Sequence, residues 1–155
     1  MVSTVDYEKR DLFVSRVHSL LEDMRKWLDG TGLVAKTSEI IVNEKTPGDY
    51  TVDQLEIVDK KGEPVAKVTP VGAYVIAAEG RVDIEGFIGK ESIVFMKGSP
   101  DLQTNSAGEK RTGHFYTGID HDGWYWIENK RRIKALSLDR ELFLELITIA
   151  SDYGF

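Results

Sequence analysis

The sequence predicts an α+β fold: a long N-terminal helix, an antiparallel and strongly bent sheet built from sequential hairpins, and a C-terminal helix packed on that sheet. Three observations predict it. Apolar residues recur at spacings of three and four between Tyr7 and Leu28 and again after Ser137, whereas the chain between them alternates with a period of two. The links between the alternating segments are short and rich in Gly, Pro and Asp, too short for the crossovers that parallel strands require. A length of 155 residues lets folding bury roughly two thirds of the extended chain's surface. Residues 1–155 are therefore expected to form a single domain.

Phe13, Val17, Leu20, Leu21, Met24, Trp27 and Leu28 fall on one face of the first helix, with Arg10, Ser15, Ser19, Glu22 and Lys26 on the other. Asp6 is the expected N-cap, and Gly30 or Gly32 the expected C-terminal stop. His18 borders the apolar stripe and reads as a packing residue. Strands follow at Ser38–Asn43, Thr51–Val58 and Val65–Thr69, separated by the turn Thr46–Asp49 and the loop Asp59–Pro64. Pro70 and Gly72 are expected to bend the chain. Ala73–Glu85 reads as a hairpin about a Glu79-Gly80 turn, pairing Ala77 with Val82 and Val75 with Ile84. Ser92–Lys97 is the next strand. Gly98–Gly113 has no periodicity and is expected to be a loop. His114–Ile119, Trp124–Glu128 and Arg131–Leu136 complete a sheet of seven to nine strands, and Ser137 is the expected cap of the last helix. Leu142, Leu146, Ile149 and Tyr153 form the apolar face of that helix, which must pack on the sheet or on a second copy of the chain.

Composition narrows the function. The net charge of −6 argues against general nucleic-acid binding, which needs a basic face to displace counterions. With no cysteine in the chain, disulfides, thiolate metal sites and thiol nucleophiles are excluded. No apolar segment is long enough for a membrane span and the N-terminus lacks a secretory pattern, so the expected location is cytoplasmic. No phosphate loop, dinucleotide fingerprint, Gly-x-Ser-x-Gly elbow or His-Glu-x-x-His occurs.

Recognition chemistry concentrates in Gly113–Leu136. Two of the three tryptophans and two of the three histidines lie there, with Asp120, Asp122 and the basic residues Lys130, Arg131, Arg132 and Lys134. Strand alternation puts Trp124 and Trp126 on one face and Tyr125 on the other, so a sheet covered on one side cannot bury all three. Trp, Tyr and Arg anchor protein interfaces, which makes Trp124, Trp126, Arg131, Arg132, His114 and Tyr116 the expected partner-binding residues. His114, Asp120, His121, Asp122 and Glu128 include metal-binding types, but neighbouring turn residues do not converge without further folding, and no metal or other cofactor is expected. Asp120 or Asp122 with Glu128 and Lys130 resembles the Asp-x(5–7)-Glu-x-Lys core motif of restriction-endonuclease-like enzymes. That resemblance spans about eleven residues and implies a metal-dependent phosphodiesterase. In that family a helix and a further parallel strand usually follow, whereas here only one helix remains.

The expected function is thus a small acidic interaction module that binds a protein partner, of the inhibitor or immunity type. A metal-dependent phosphodiesterase and a homodimeric structural domain are the alternatives.

Overall fold

Helix α1 spans Thr4–Trp27 and begins with a capping box, in which the Ser3 hydroxyl accepts from Asp6 N and the Asp6 carboxylate accepts from Ser3 N. Asp6 is therefore the third helical residue and not the cap itself. Its face of Phe13, Val17, Leu20, Leu21 and Met24 is buried, as the spacing predicts. His18 is largely exposed, with Nδ1 3.6 Å from Asp53. The computed structural model describes residues 3–75, 77–98, 102–104, 110–112, 117–129 and 134–155.

The main sheet has seven antiparallel strands: β1 (Val34–Val42), β2 (Tyr50–Val58), β3 (Pro64–Gly72), β4 (Gly80–Gly86), β5 (Lys90–Met96), β8 (Gly123–Asn129) and β9 (Lys134–Ser137). They lie side by side in chain order, as sequential hairpins dictate. Helix α2 (Arg140–Ser151) packs on β3, β4 and β5. It also meets α1, where Trp27 lies 5.6 Å from Phe143 and Arg140 donates to Trp27 O. Both helices share one core with Leu55, Val68, Val82, Ile84 and Ile93. Among the described residues no helix is long and apolar enough to cross a membrane.

The sheet bends at the β1–β2 ribbon. Tyr50 and Val52 are buried at one end of β2 and Leu55 and Ile57 at the other, although pairing with β1 is unbroken. Both strands change the face they turn to the same core, so the ribbon coils about α1. The coil falls where β3 no longer pairs with β2, consistent with the stronger twist of two-stranded ribbons.

Several elements differ from the sequence reading. The arms of the third hairpin are β3 and β4, pairing Val68 with Ile84 and Pro70 with Val82. No named strand falls among the described residues between Gly72 and Gly80, where Val75 and Ala78 form only an isolated bridge, because Ala77 sits at φ 64 and breaks the extended run. Gly80 serves helix packing: a Cβ there would lie 2.7 Å from the Phe13 ring. Pro70 and Gly72 lie inside β3, at a register shift. Helix α2 is capped by Asp139, whose carboxylate accepts from Leu142 N at 2.8 Å, because pairing with Tyr125 keeps Ser137 extended in β9. Within the expected loop 98–113, β6 (Leu102–Thr104) and β7 (Lys110–Thr112) pair as a separate two-stranded ladder. The expected strand at His114–Ile119 falls partly outside the described residues; Thr117 forms an isolated bridge to Lys134.

The sheet face away from the helices carries a row of alternating charge across five strands. Lys36, Glu56, Lys67, Glu85 and Lys90 stand opposite one another in successive pairings from β1 to β5, the arrangement that favours cross-strand pairs on a solvated face. Beside it Asp83 is buried, accepting two bonds from Arg81 and one from Ser92.

Candidate functional site

The turn Asp120-His121-Asp122-Gly123 is organised by Tyr125, two residues into β8. Its side chain is fully buried, and a buried phenol must find polar partners. The hydroxyl donates to His121 O at 2.8 Å, accepts from His121 N at 3.3 Å and lies 3.1 Å from His121 Nδ1. The turn is thereby folded back over the open face of the sheet. Asp122 ties it to the end of β5, accepting from Gly98 N at 2.7 Å. The approach needs glycine at 98, where a Cβ would stand 2.5 Å from His121 Cα.

Folding the turn this way brings to the adjacent pair Asp120 and His121 a third side chain that sequence spacing does not place near them. His121 Nδ1 is 2.5 Å from Asp120 Oδ1, and His121 Nε2 is 3.3 Å from Ser137 Oγ at the end of β9. Nδ1 faces the Asp120 carboxylate, so it bears the proton, and Nε2 presents its lone pair to the serine. The hydrogen bond from His121 holds the Asp120 carboxyl below its ordinary range. The His121 and Asp120 side chains are 55% and 83% exposed, so solvent reaches this chain of groups directly.

Trp124 and Trp126 occupy the helix-side face, half-buried against the main core. Trp124 meets Phe95 edge-on at 5.4 Å, and Trp126 Nε1 donates to Glu91 at 2.9 Å. Tyr125, on the opposite face, belongs to a second cluster with Met96 and Ala135, packed by Ile119 and Ile127. Both faces of β8 are thus covered by the chain itself, a possibility that alternation alone left open. His114, Tyr116, Arg131 and Arg132 lie outside the described residues, as does Lys130. Glu128 is exposed, Asp120 and Asp122 turn to separate partners, and no group of three metal-ligating side chains converges among the described residues.

A feature that the sequence reading passed over lies at the other end of β5. In the turn Gly86–Gly89, Ile88 N and Gly89 N both donate to Ala150 O at the end of α2, at 2.9 and 3.0 Å, while Gly86 N donates to Gly89 O. Phe87 is 98% exposed and Ile88 60%. Phe87 forms one wall of a groove of about 550 Å³ on the open sheet face, floored by Val58 and Val65 and bordered by Glu56, Lys67 and Glu85. The signal in the sequence was an apolar pair, Phe-Ile, between two turn glycines. Neither family models, nor characterised proteins, nor solved structures yield a match to this chain.

Proposed function

We propose that the protein is an interaction module that binds a protein partner through the Phe87–Ile88 turn, with the adjoining groove accepting an apolar side chain of that partner. The observation that carries this reading is the near-complete exposure of Phe87 on a backbone pinned to α2. A turn whose backbone is already fixed has less main-chain freedom to lose when its exposed aromatic is bound. Such residues are the usual anchors of interfaces. The net charge of −6 favours a basic partner through complementarity and faster encounter, in keeping with an inhibitor or immunity-type role. Trp124 and Trp126 contribute less freely to such a surface, since both already pack on the core.

The test places a photo-crosslinking amino acid at position 87, identifies the captured protein, and titrates that protein purified against wild type and a Phe87→Ser/Ile88→Ser variant. Affinity should fall by roughly 2 kcal/mol or more, about thirtyfold, with the melting temperature unchanged. Equal affinity would overturn the reading. Self-association lost in the same variant would point to the homodimer instead. Stabilisation by Mg²⁺ or Mn²⁺ that Glu128→Ala removes would point to the phosphodiesterase.

A further inference from the structure

We infer that Ser137 is an activated nucleophile, with His121 as its base and Asp120 as the group that orients the base, and that the site accepts acyl groups from small, accessible carboxylic esters. The inference is independent of the Phe87 surface, which lies at the opposite end of β5.

Its support is geometric. Nucleophilic serine chemistry needs a hydroxyl within reach of an imidazole nitrogen, and a third group that fixes the other nitrogen as a donor. Ser137 Oγ, His121 Nε2, His121 Nδ1 and Asp120 Oδ1 form that sequence at 3.3 and 2.5 Å. The parts come from three places: the 120–122 turn, the end of β9, and β8, whose buried Tyr125 holds the histidine backbone through both its N–H and its carbonyl. Register positions the serine. Tyr125 stands opposite Ser137, so both side chains rise from the same face, where the His121 ring lies 5.4 Å from the Tyr125 ring. Ser137 is exposed, so an electrophile can approach it from solvent.

The reaction consumes only the ester and one water. Ser137 Oγ bonds to the ester carbonyl carbon while its proton passes to His121 Nε2, and the imidazolium is held by the Asp120 carboxylate. The tetrahedral adduct then expels the alcohol oxygen, which takes that proton and leaves acyl-Ser137 with neutral His121. Water, deprotonated by the same nitrogen, attacks the acyl carbon; the bond from that carbon to Ser137 Oγ then breaks, Oγ takes the proton back from Nε2, and the acid leaves with serine and neutral imidazole restored.

The experiment treats the full chain with a fluorophosphonate probe and locates the adduct by peptide mass spectrometry. The expected result is modification at Ser137, absent in Ser137→Ala and slowed about a hundredfold or more in His121→Ala, the scale of general-base assistance. Asp120→Asn should slow it less. A second variant guards against a misfolded first: because the chain has no cysteine, Ser137→Cys introduces a single thiol. Iodoacetamide should alkylate it faster when His121 is present than in the Ser137→Cys/His121→Ala pair, with a pH profile that the pair loses. Absence of labelling, labelling at other serines, or equal rates with and without His121 would each overturn the inference.

Discussion

The two ends of β5 solve the same problem in opposite ways. At one end the Gly86–Gly89 turn is fixed by its backbone: the Ile88 and Gly89 N–H groups both bond to the Ala150 carbonyl near the end of α2, and the side chains of Phe87 and Ile88 are left outside. At the other end the Asp120–Gly123 turn is fixed by side chains: Tyr125 grips the His121 backbone, Asp122 grips Gly98, and Asp120 is committed to His121. A turn held by its main chain keeps its side chains free for contact with another molecule. A turn held by side chains spends them on one another and fixes their geometry, which suits chemistry better than recognition.

Substitutions can break this contrast. The largest effect is expected from Gly86→Ala. Its methyl would meet the Ala150 carbonyl at 2.5 Å, so β4 and α2 must separate and the two hydrogen bonds weaken; a loss of about 2–3 kcal/mol should appear in chemical denaturation. Tyr125→Phe should cost about 1–3 kcal/mol, because it leaves the His121 N–H and carbonyl without their partner. It should also loosen His121 relative to Ser137, read as slower fluorophosphonate labelling. Phe87→Ser, one residue from Gly86, should change stability by no more than about 0.5 kcal/mol, since the side chain touches little; a larger loss in thermal melts would mean that the turn is not pinned by its backbone alone.

The smallest expected effect concerns pH. Hydrogen bonding to His121 lowers the Asp120 pKa in the folded state. The associated stabilisation is therefore present above the unfolded carboxyl pKa and fades as pH falls through the folded value. Full exposure keeps it small. Carboxyl NMR titration should show the Asp120 midpoint returning toward its ordinary value, about 3.9, in His121→Ala.

Much of the architecture was legible in the residues. The stripe from Phe13 to Met24 specified α1 and its buried face, and short polar links specified an antiparallel sheet, while the order of its strands was left to the tertiary structure. Strand alternation placed Trp124 and Trp126 opposite Tyr125. The third hairpin was misread because Val75, Ala77, Val82 and Ile84 alternate well, yet a left-handed residue at 77 and the pairing already supplied by β3 outweigh local pattern. Of the candidate site, Asp120 and His121 stood out as reactive types, whereas Ser137 was read as a helix cap and Phe87 was passed over. A cap and a strand end look alike in sequence when the deciding interaction is a pairing with a strand twelve residues earlier.

The sequence by itself determined the two helices, the antiparallel sense of the sheet and the acidic, cysteine-free character, because periodicity, turn chemistry and charge are properties of neighbouring residues; the order of the strands came from the structure. Only the tertiary structure decided that both faces of β8 are covered, that Phe87 is left bare, and that Ser137 meets His121. Those outcomes depend on register between strands and on which loop closes over which face, and each is fixed by contacts between residues far apart in the chain.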